Sequence, residues 1–153
     1  MKRQGAKKII VTDTLKQDVK QALEPYQVQF AYVFGSAITG RMHDESDIDI
    51  AVFFSAYTLP RQRFKEHLSL HGALATAFKV PEESLDITIL NNANILLKFV
   101  AISEGVVLYE KDHAKRVDFE MAVIRQRDDE QSYRLLSRQV FLQRLAKQSS
   151  WPK

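Results

Sequence analysis

Apolar and polar positions change period several times along this chain, and each change marks an element. Val28 to Phe34 and Ile48 to Phe54 are short runs dense in β-branched and aromatic residues, which predicts two strands. Leu85-Asp86-Ile87-Thr88-Ile89-Leu90 predicts a third strand, and Val106-Val107-Leu108-Tyr109 a short fourth at a sheet edge. Between the strands the period lengthens to that of a helix. Thr12 or Asp13 caps a helix running to about Glu24, with Leu15, Val19, Ala22 and Leu23 as its apolar face, and Pro25 stops it. Ser55 to Pro60 reads as a turn. Arg61 to Lys79 predicts a second helix with Phe64, Leu68, Ala75 and Phe78 turned inward, broken by Val80-Pro81. Asn91 to Glu104 predicts a third, with Ile95, Leu96, Phe99, Val100 and Ile102 apolar, and Gly105 ends it at the C′ position. From Ala114 to about Lys147 the pattern is helical, with a break near Asp128-Asp129. Val117, Met121 and Ile124, then Tyr133, Leu136 and Val140, form its stripes, and Leu135, Leu142 and Leu145 widen the second.

The chemistry concentrates between the first two strands. Gly35-Ser36 follows the first strand directly, and the second carries two carboxylates at its start, Asp47 and Asp49. Strand side chains alternate, so Asp47, Asp49 and Ala51 share one face, while Ile48, Ile50 and Val52 take the other, the core. Two neighbouring aspartates repel and resist burial, and a divalent cation removes that penalty. Such pairs suit Mg²⁺, a hard cation that shares oxygen ligands with a substrate phosphate. Gly35 lets the backbone approach a ligand closely, and Ser36 offers a hydroxyl and a cap for a short helix. Backbone N–H groups at such a turn attract phosphate. A Gly-Ser turn alone is common, and so is an Asp-x-Asp at a strand edge. Together, between two apolar strands, they describe a nucleotide site. Asp86, on the third strand, supplies the natural third carboxylate, and three carboxylates can hold two metal ions or hold one and deprotonate a nucleophile.

Composition narrows the setting. At 153 residues a single domain, residues 1–153, is expected, with a core over about 12–110 and a C-terminal helical segment over about 114–147. Hydrophobic residues make up 45%, enough for a real core. A net charge of +3 is too small to establish nucleic-acid binding. There is no Cys, so disulfides and thiolate metal sites are ruled out and a reducing compartment fits. The basic start, with Lys2, Arg3, Lys7 and Lys8, lacks an apolar h-region and reads as a solvated end, not a secretory signal. No apolar run is long enough to span a membrane, so a cytoplasmic protein is expected. His67 and His71 have zinc-ligand spacing, but no Glu follows His67 and no third ligand is evident. They read as surface or half-buried histidines. Trp151 and Pro152 fall in a tail.

Gly-Ser, ten intervening residues, then Asp-x-Asp resembles the signature of the polymerase-β-like nucleotidyltransferases. The chain is most similar to their minimal members, the MNT antitoxins of type VII-like HEPN/MNT toxin–antitoxin systems. The likeness runs from about Val28 to Asp129. It includes Leu85-Asp86-Ile87-Thr88-Ile89-Leu90-Asn91-Asn92 as the third-carboxylate strand with its turn, and Ile102 to Glu110 as the helix–Gly–strand ending. The resemblance implies the polymerase-β-like fold, an α/β (α+β) arrangement with a small mixed sheet, flanking helices and C-terminal helices. It implies that Gly35, Ser36, Arg41 and Ser46 hold the nucleotide, that Asp47, Asp49 and Asp86 are catalytic, that Asp47 and Asp49 bind Mg²⁺, two ions in all, and that Asp86 is a further metal ligand or the base. Many relatives have a basic residue at the position of Thr39. Here Arg41 follows Gly40 instead and is the candidate for steadying the triphosphate. The implied activity is transfer of AMP from ATP to a tyrosine of a HEPN-domain RNase toxin, which neutralises the toxin. The flanks of the site and the C-terminal helix are where that toxin is expected to dock. Two other readings remain: a non-catalytic antitoxin that masks its toxin, and a small-molecule nucleotidyltransferase of the aminoglycoside-modifying type. The absence of an acceptor-binding domain weighs against the latter.

Overall fold

The computed structural model describes residues 8–41, 46–55 and 60–148, apart from the side chains of 60–63 and 145–148. The N-terminal tail before Lys8, Met42 to Glu45, most of the Ser55–Pro60 turn and Trp151-Pro152, for which the sequence raised expectations, lie outside the described residues. Five α-helices and four strands alternate: α1 Asp13–Leu23, β1 Val28–Phe34, α2 Ser36–Thr39, β2 Ile48–Phe54, α3 Pro60–Phe78, β3 Leu85–Ile89, α4 Ile95–Glu104, β4 Val106–Glu110 and α5 His113–Gln148, with a 3₁₀ turn at Glu82–Ser84. The sheet order is β3-β2-β1-β4. β1 runs antiparallel to β2 and β4, and β2 runs parallel to β3, so the sheet is mixed and β4 is an edge.

Both faces of this sheet are covered. On one, Ala31, Val33, Ile48, Ile50, Val52, Leu85 and Ile87 pack with Val19 and Leu23 of α1 and Leu70, Leu74, Ala75 and Ala77 of α3. On the other, Phe30, Tyr32, Phe34 and Ala51 pack with Leu90 and Ala101, and Leu97, Val100 and Phe119 close over them. Alternation along β1 therefore separates two apolar layers, not a wet face from a dry one. The face shared by Asp49 and Ala51 is thus open only at its end: Ala51 is fully buried. Phe30 stacks on Phe53 at 4.8 Å, and Phe119 of α5 tilts against both rings.

Several expected positions shift, each for a local reason. Thr12 caps α1, accepting a hydrogen bond from the Leu15 N–H at 3.1 Å. In α3, Phe64 and Leu68 are 67% and 56% exposed. Leu70, Leu74 and Ala77 make the inward stripe, and Leu68 lies roughly a third of a turn or more to its side. The helix expected from Asn91 begins at Ile95, with Asn94 as its cap. Asn91 is occupied elsewhere: its side chain exchanges two 2.9 Å hydrogen bonds with the Phe54 backbone, extending the end of β2. Gly105 follows α4 with an extended backbone, φ −76° and ψ 157°, and not a left-handed one. Glycine is required there for space, because a Cβ would overlap the Ala101 carbonyl oxygen and crowd Tyr32. His67 and His71 are half-buried, and His71 Nε2 meets the Leu85 carbonyl at 3.0 Å, tying α3 to β3.

The C-terminal helix is unbroken over 36 residues, with no interruption at Asp128-Asp129. Only its first half packs on the domain. Val123 is buried and Arg127 lies over the Phe99 ring of α4 at 3.6 Å, whereas every described side chain from Gln131 to Arg144 is exposed. A polar cluster fixes the root of this helix. The Tyr32 hydroxyl donates to Glu120 at 2.6 Å, Arg116 donates to Glu120 at 2.5 Å, and Arg116 also donates to Glu110 of β4. Burial, and then the neighbouring Glu120 carboxylate, push the Tyr32 hydroxyl far above its ordinary range. Arg116→Ala strands two carboxylates, so a loss of about 1–3 kcal/mol is expected, read as a lower midpoint in thermal unfolding. Arg116 holds Glu110 below the usual carboxylate range, so this contribution is present above the ordinary carboxylate pKa and fades as the pH falls below it. No helix among the described residues is long and apolar enough to cross a membrane.

Candidate active site

Three strand ends meet at one corner of the sheet. Phe34, the last residue of β1, pairs with Asp49 of β2, and Asp49 pairs with Asp86 of β3. The parallel register of β2 and β3 sets these two aspartates on neighbouring strands, about 4.8 Å apart in backbone spacing. Sequence spacing alone cannot place them, because the register depends on the whole β2–α3–β3 crossover. Asp47 stands just outside β2 and is exposed; Asp49 is half-buried and Asp86 exposed. Burial raises the Asp49 carboxyl above its ordinary range, and the charges of Asp86 and then Asp47 raise it further. Asp49 therefore senses the charge of both other carboxylates.

The turn after β1 closes against this cluster. Gly35 has φ +72° and ψ −150°, a conformation that L side chains rarely adopt. A Cβ there would overlap the Asp49 carboxylate. The turn backbone and the carboxylate are thus in direct apposition, and only glycine permits it. Gly35 itself is the N-cap of the short helix α2, without a side-chain cap. Ser36 is the first helical residue and not the expected cap, which leaves its half-buried hydroxyl at the head of the turn. Thr39 Oγ1 donates to the Gly35 carbonyl at 3.2 Å, so the residue standing where relatives have a base braces the turn. Arg41 is exposed just past Gly40, with its N–H on the Ser36 carbonyl, and Ser46 is half-buried before Asp47.

One neighbour was missed in the sequence. The Ile9 N–H donates to the Ala37 carbonyl at 2.9 Å, which holds the N-terminal segment along α2. Lys8 follows this path, its Cδ 3.9 Å from where a Gly40 Cβ would stand. It adds a second cation beside Arg41. The signal was the apolar pair Ile9 and Val11, both packed against the core, directly after the basic tail.

The donor set fits a hard divalent cation. Asp49 and Asp86 are oxygen ligands on adjoining strands, and their mutual repulsion is what an ion between them relieves. Among the described residues no three His, Cys, Asp or Glu side chains already stand close enough to enclose one ion. Closing Asp47, Asp49 and Asp86 around a cation takes rotation of their side chains.

A family model described as polymerase beta, nucleotidyltransferase, matches residues 17–114. The protein adenylyltransferase MntA of Aphanizomenon flos-aquae (strain 2012/KM1/D3) is 30% identical over 103 residues, covering 65% of this chain and 68% of that protein. In fold, the chain resembles one from a crystal structure of a toxin–antitoxin with AMP-PNP, with TM-score 0.63 at 23% identity, covering 83% of this chain and 98% of that one. It also resembles one from the tri-AMPylated Shewanella oneidensis HEPN toxin in complex with MNT antitoxin, with TM-score 0.57 at 21% identity, covering 84% and 96%. With a Gly-Ser turn locked against Asp49, Asp86 in register beside it, and a family model spanning more than half of its length, the chain belongs to the polymerase β nucleotidyltransferase family.

Proposed function

We propose that this chain is the antitoxin of a type VII-like HEPN/MNT toxin–antitoxin system, an adenylyltransferase that moves AMP from ATP to a tyrosine of its HEPN RNase toxin. The observation that carries this reading is the apposition of the Gly35 backbone and the Asp49 carboxylate, with Asp86 in register on the next strand. A phosphate cradle and an oxygen-donor cluster then share one corner. The similarity to MntA, a protein adenylyltransferase, supports the acceptor class. Gly35 and Ser36 cradle the triphosphate through backbone N–H groups and the Ser36 hydroxyl, and Ser46, just before Asp47, assists them. Arg41 and Lys8 offset the negative charge that grows on the departing pyrophosphate. Asp47 and Asp49 would hold Mg²⁺, which would supply charge neutralisation to the phosphates. Asp86, the exposed member beside Asp49, accepts the proton of the tyrosine hydroxyl as its oxygen bonds to the α-phosphorus and the bond to pyrophosphate breaks.

Intact-mass analysis tests this. A candidate HEPN toxin is incubated with the protein, ATP and Mg²⁺. Mass gained in AMP-sized steps, dependent on Mg²⁺, is the expected result. An inhibited toxin of unchanged mass would mean masking by binding, and neither effect would redirect the search to a small-molecule acceptor.

A further inference from the structure

Among the described side chains of α5, nine large apolar residues are exposed, and five of them share one pattern. Val117, Met121, Ile124, Leu135 and Leu142 are 36%, 46%, 38%, 68% and 53% exposed. Their spacings are four, three, eleven and seven residues, so all five fall on the a and d positions of one continuous heptad pattern. Asp128, Gln131 and Arg138 take the positions left between Ile124 and Leu142. The stripe that packs on the domain, from Arg116 through Phe119, Glu120 and Val123 to Arg127, lies roughly 120° around the helix from this seam. The seam is therefore partly covered at Val117 and Ile124 and open from Gln131 to Arg144. Tyr133, Leu136, Val140 and Phe141, equally exposed, lie outside it.

We propose that α5 pairs with the α5 of a second copy of this chain as an antiparallel coiled coil with its two-fold axis at Tyr133. The charges select this occupant and this direction. In an antiparallel pair each a position lies against a d position of the other helix. With the axis at Tyr133, Asp128 faces Arg138 of the second copy, Ile124 faces Leu142, and Leu135 faces Gln131. The two charged residues that interrupt the seam thus meet as opposite charges. A parallel pair would set Asp128 on Asp128 and Arg138 on Arg138, which is repulsive. The overlap runs from 118 to 148, about 46 Å, with Asp128, Gln131 and Arg138 the polar residues on its a and d positions. Domain packing also permits it. The last described anchor on the domain is Arg127, and the second copy's equivalent falls opposite Gln139, in the part of α5 that is wholly exposed. The two domains so sit at opposite ends of the coil, and the interface is isologous. This inference rests on α5 alone and is independent of the nucleotide reading.

Light scattering on the purified full chain at micromolar concentration is expected to give twice the 17.6 kDa chain mass. Asp128→Arg places like charges together and is expected to weaken the dimer at least about tenfold. Asp128→Arg with Arg138→Asp restores it. Circular dichroism checks that each variant keeps its helix, since both side chains are exposed. The chain has no Cys, so orientation can be read by disulfide formation. A mixture of Asp128→Cys and Arg138→Cys proteins cross-links, whereas each alone does not, because identical positions stand about 15 Å apart along the coil. A monomer would overturn the proposal and leave this seam to a different protein. A dimer indifferent to Asp128→Arg, or a single-cysteine variant that links to itself, would overturn it equally.

Discussion

Asp47→Asn with Asp49→Asn is expected to reduce AMP transfer by about 10³-fold or more, the effect of removing several kcal/mol of charge stabilisation from the transition state. The same change is expected to leave the fold intact, because among the described residues no partner of opposite charge holds Asp49. It is half-buried, and burial together with Asp86 and Asp47 disfavours its ionised form. The sign of the stability effect follows. A carboxyl that titrates higher in the folded chain than in the unfolded one contributes most at low pH, and that contribution is lost as the pH rises through the folded pKa. Metal-free wild-type protein should therefore have a lower melting temperature at neutral pH than the Asn pair, while Mg²⁺ should raise the wild type and not the variant. Thermal unfolding with and without Mg²⁺, run beside the transfer assay, separates lost ligation from lost folding. A variant that unfolds would sink this account of Asp49, and one that transfers AMP at the wild-type rate would sink the assignment of the site.

Gly35→Ala is the second large effect. At φ +72° and ψ −150° any side chain is strained, at a cost of about 1–3 kcal/mol. The added methyl group also overlaps the Asp49 carboxylate, so the strand end or the carboxylate must move. Activity should fall by about 10²-fold or more, since a displacement of even 1 Å at a reacting centre has that consequence. The two contributions separate in a double-mutant cycle. In an Asp49→Ala background the overlap is gone and only the backbone strain remains, so Gly35→Ala should destabilise less there than in the wild type. Equal losses in both backgrounds would mean that the turn is displaced without touching Asp49.

Most elements were legible in the sequence because local chemistry specifies them. Val28–Phe34 and Ile48–Phe54 begin and end where the β-branched and aromatic runs do, since each run is bounded by turn-forming residues. The Gly-Ser turn and the Asp-x-Asp were legible for the same reason, being contiguous motifs whose partners lie a few residues away. The family followed from those motifs, and the comparison supports it. Helix faces were less legible. In α3, Phe64 and Leu68 are as apolar as Leu70 and Leu74, and only the position of α1 and the sheet decides which stripe is buried. Asn91 was read as helix because its neighbours are, whereas the free backbone of Phe54, distant in the chain, captures its amide.

By itself the sequence determined the order and type of the elements, the Gly-Ser turn, and the pair Asp47 and Asp49. Only the tertiary structure decided that Asp86 stands beside Asp49, that Gly35 is wedged against that carboxylate, that Lys8 returns along α2, and that the second half of α5 leaves the domain. The division has one physical cause. Propensity, turn chemistry and periodicity act over a few residues, while strand register, steric apposition and burial depend on segments that meet only after the chain has folded.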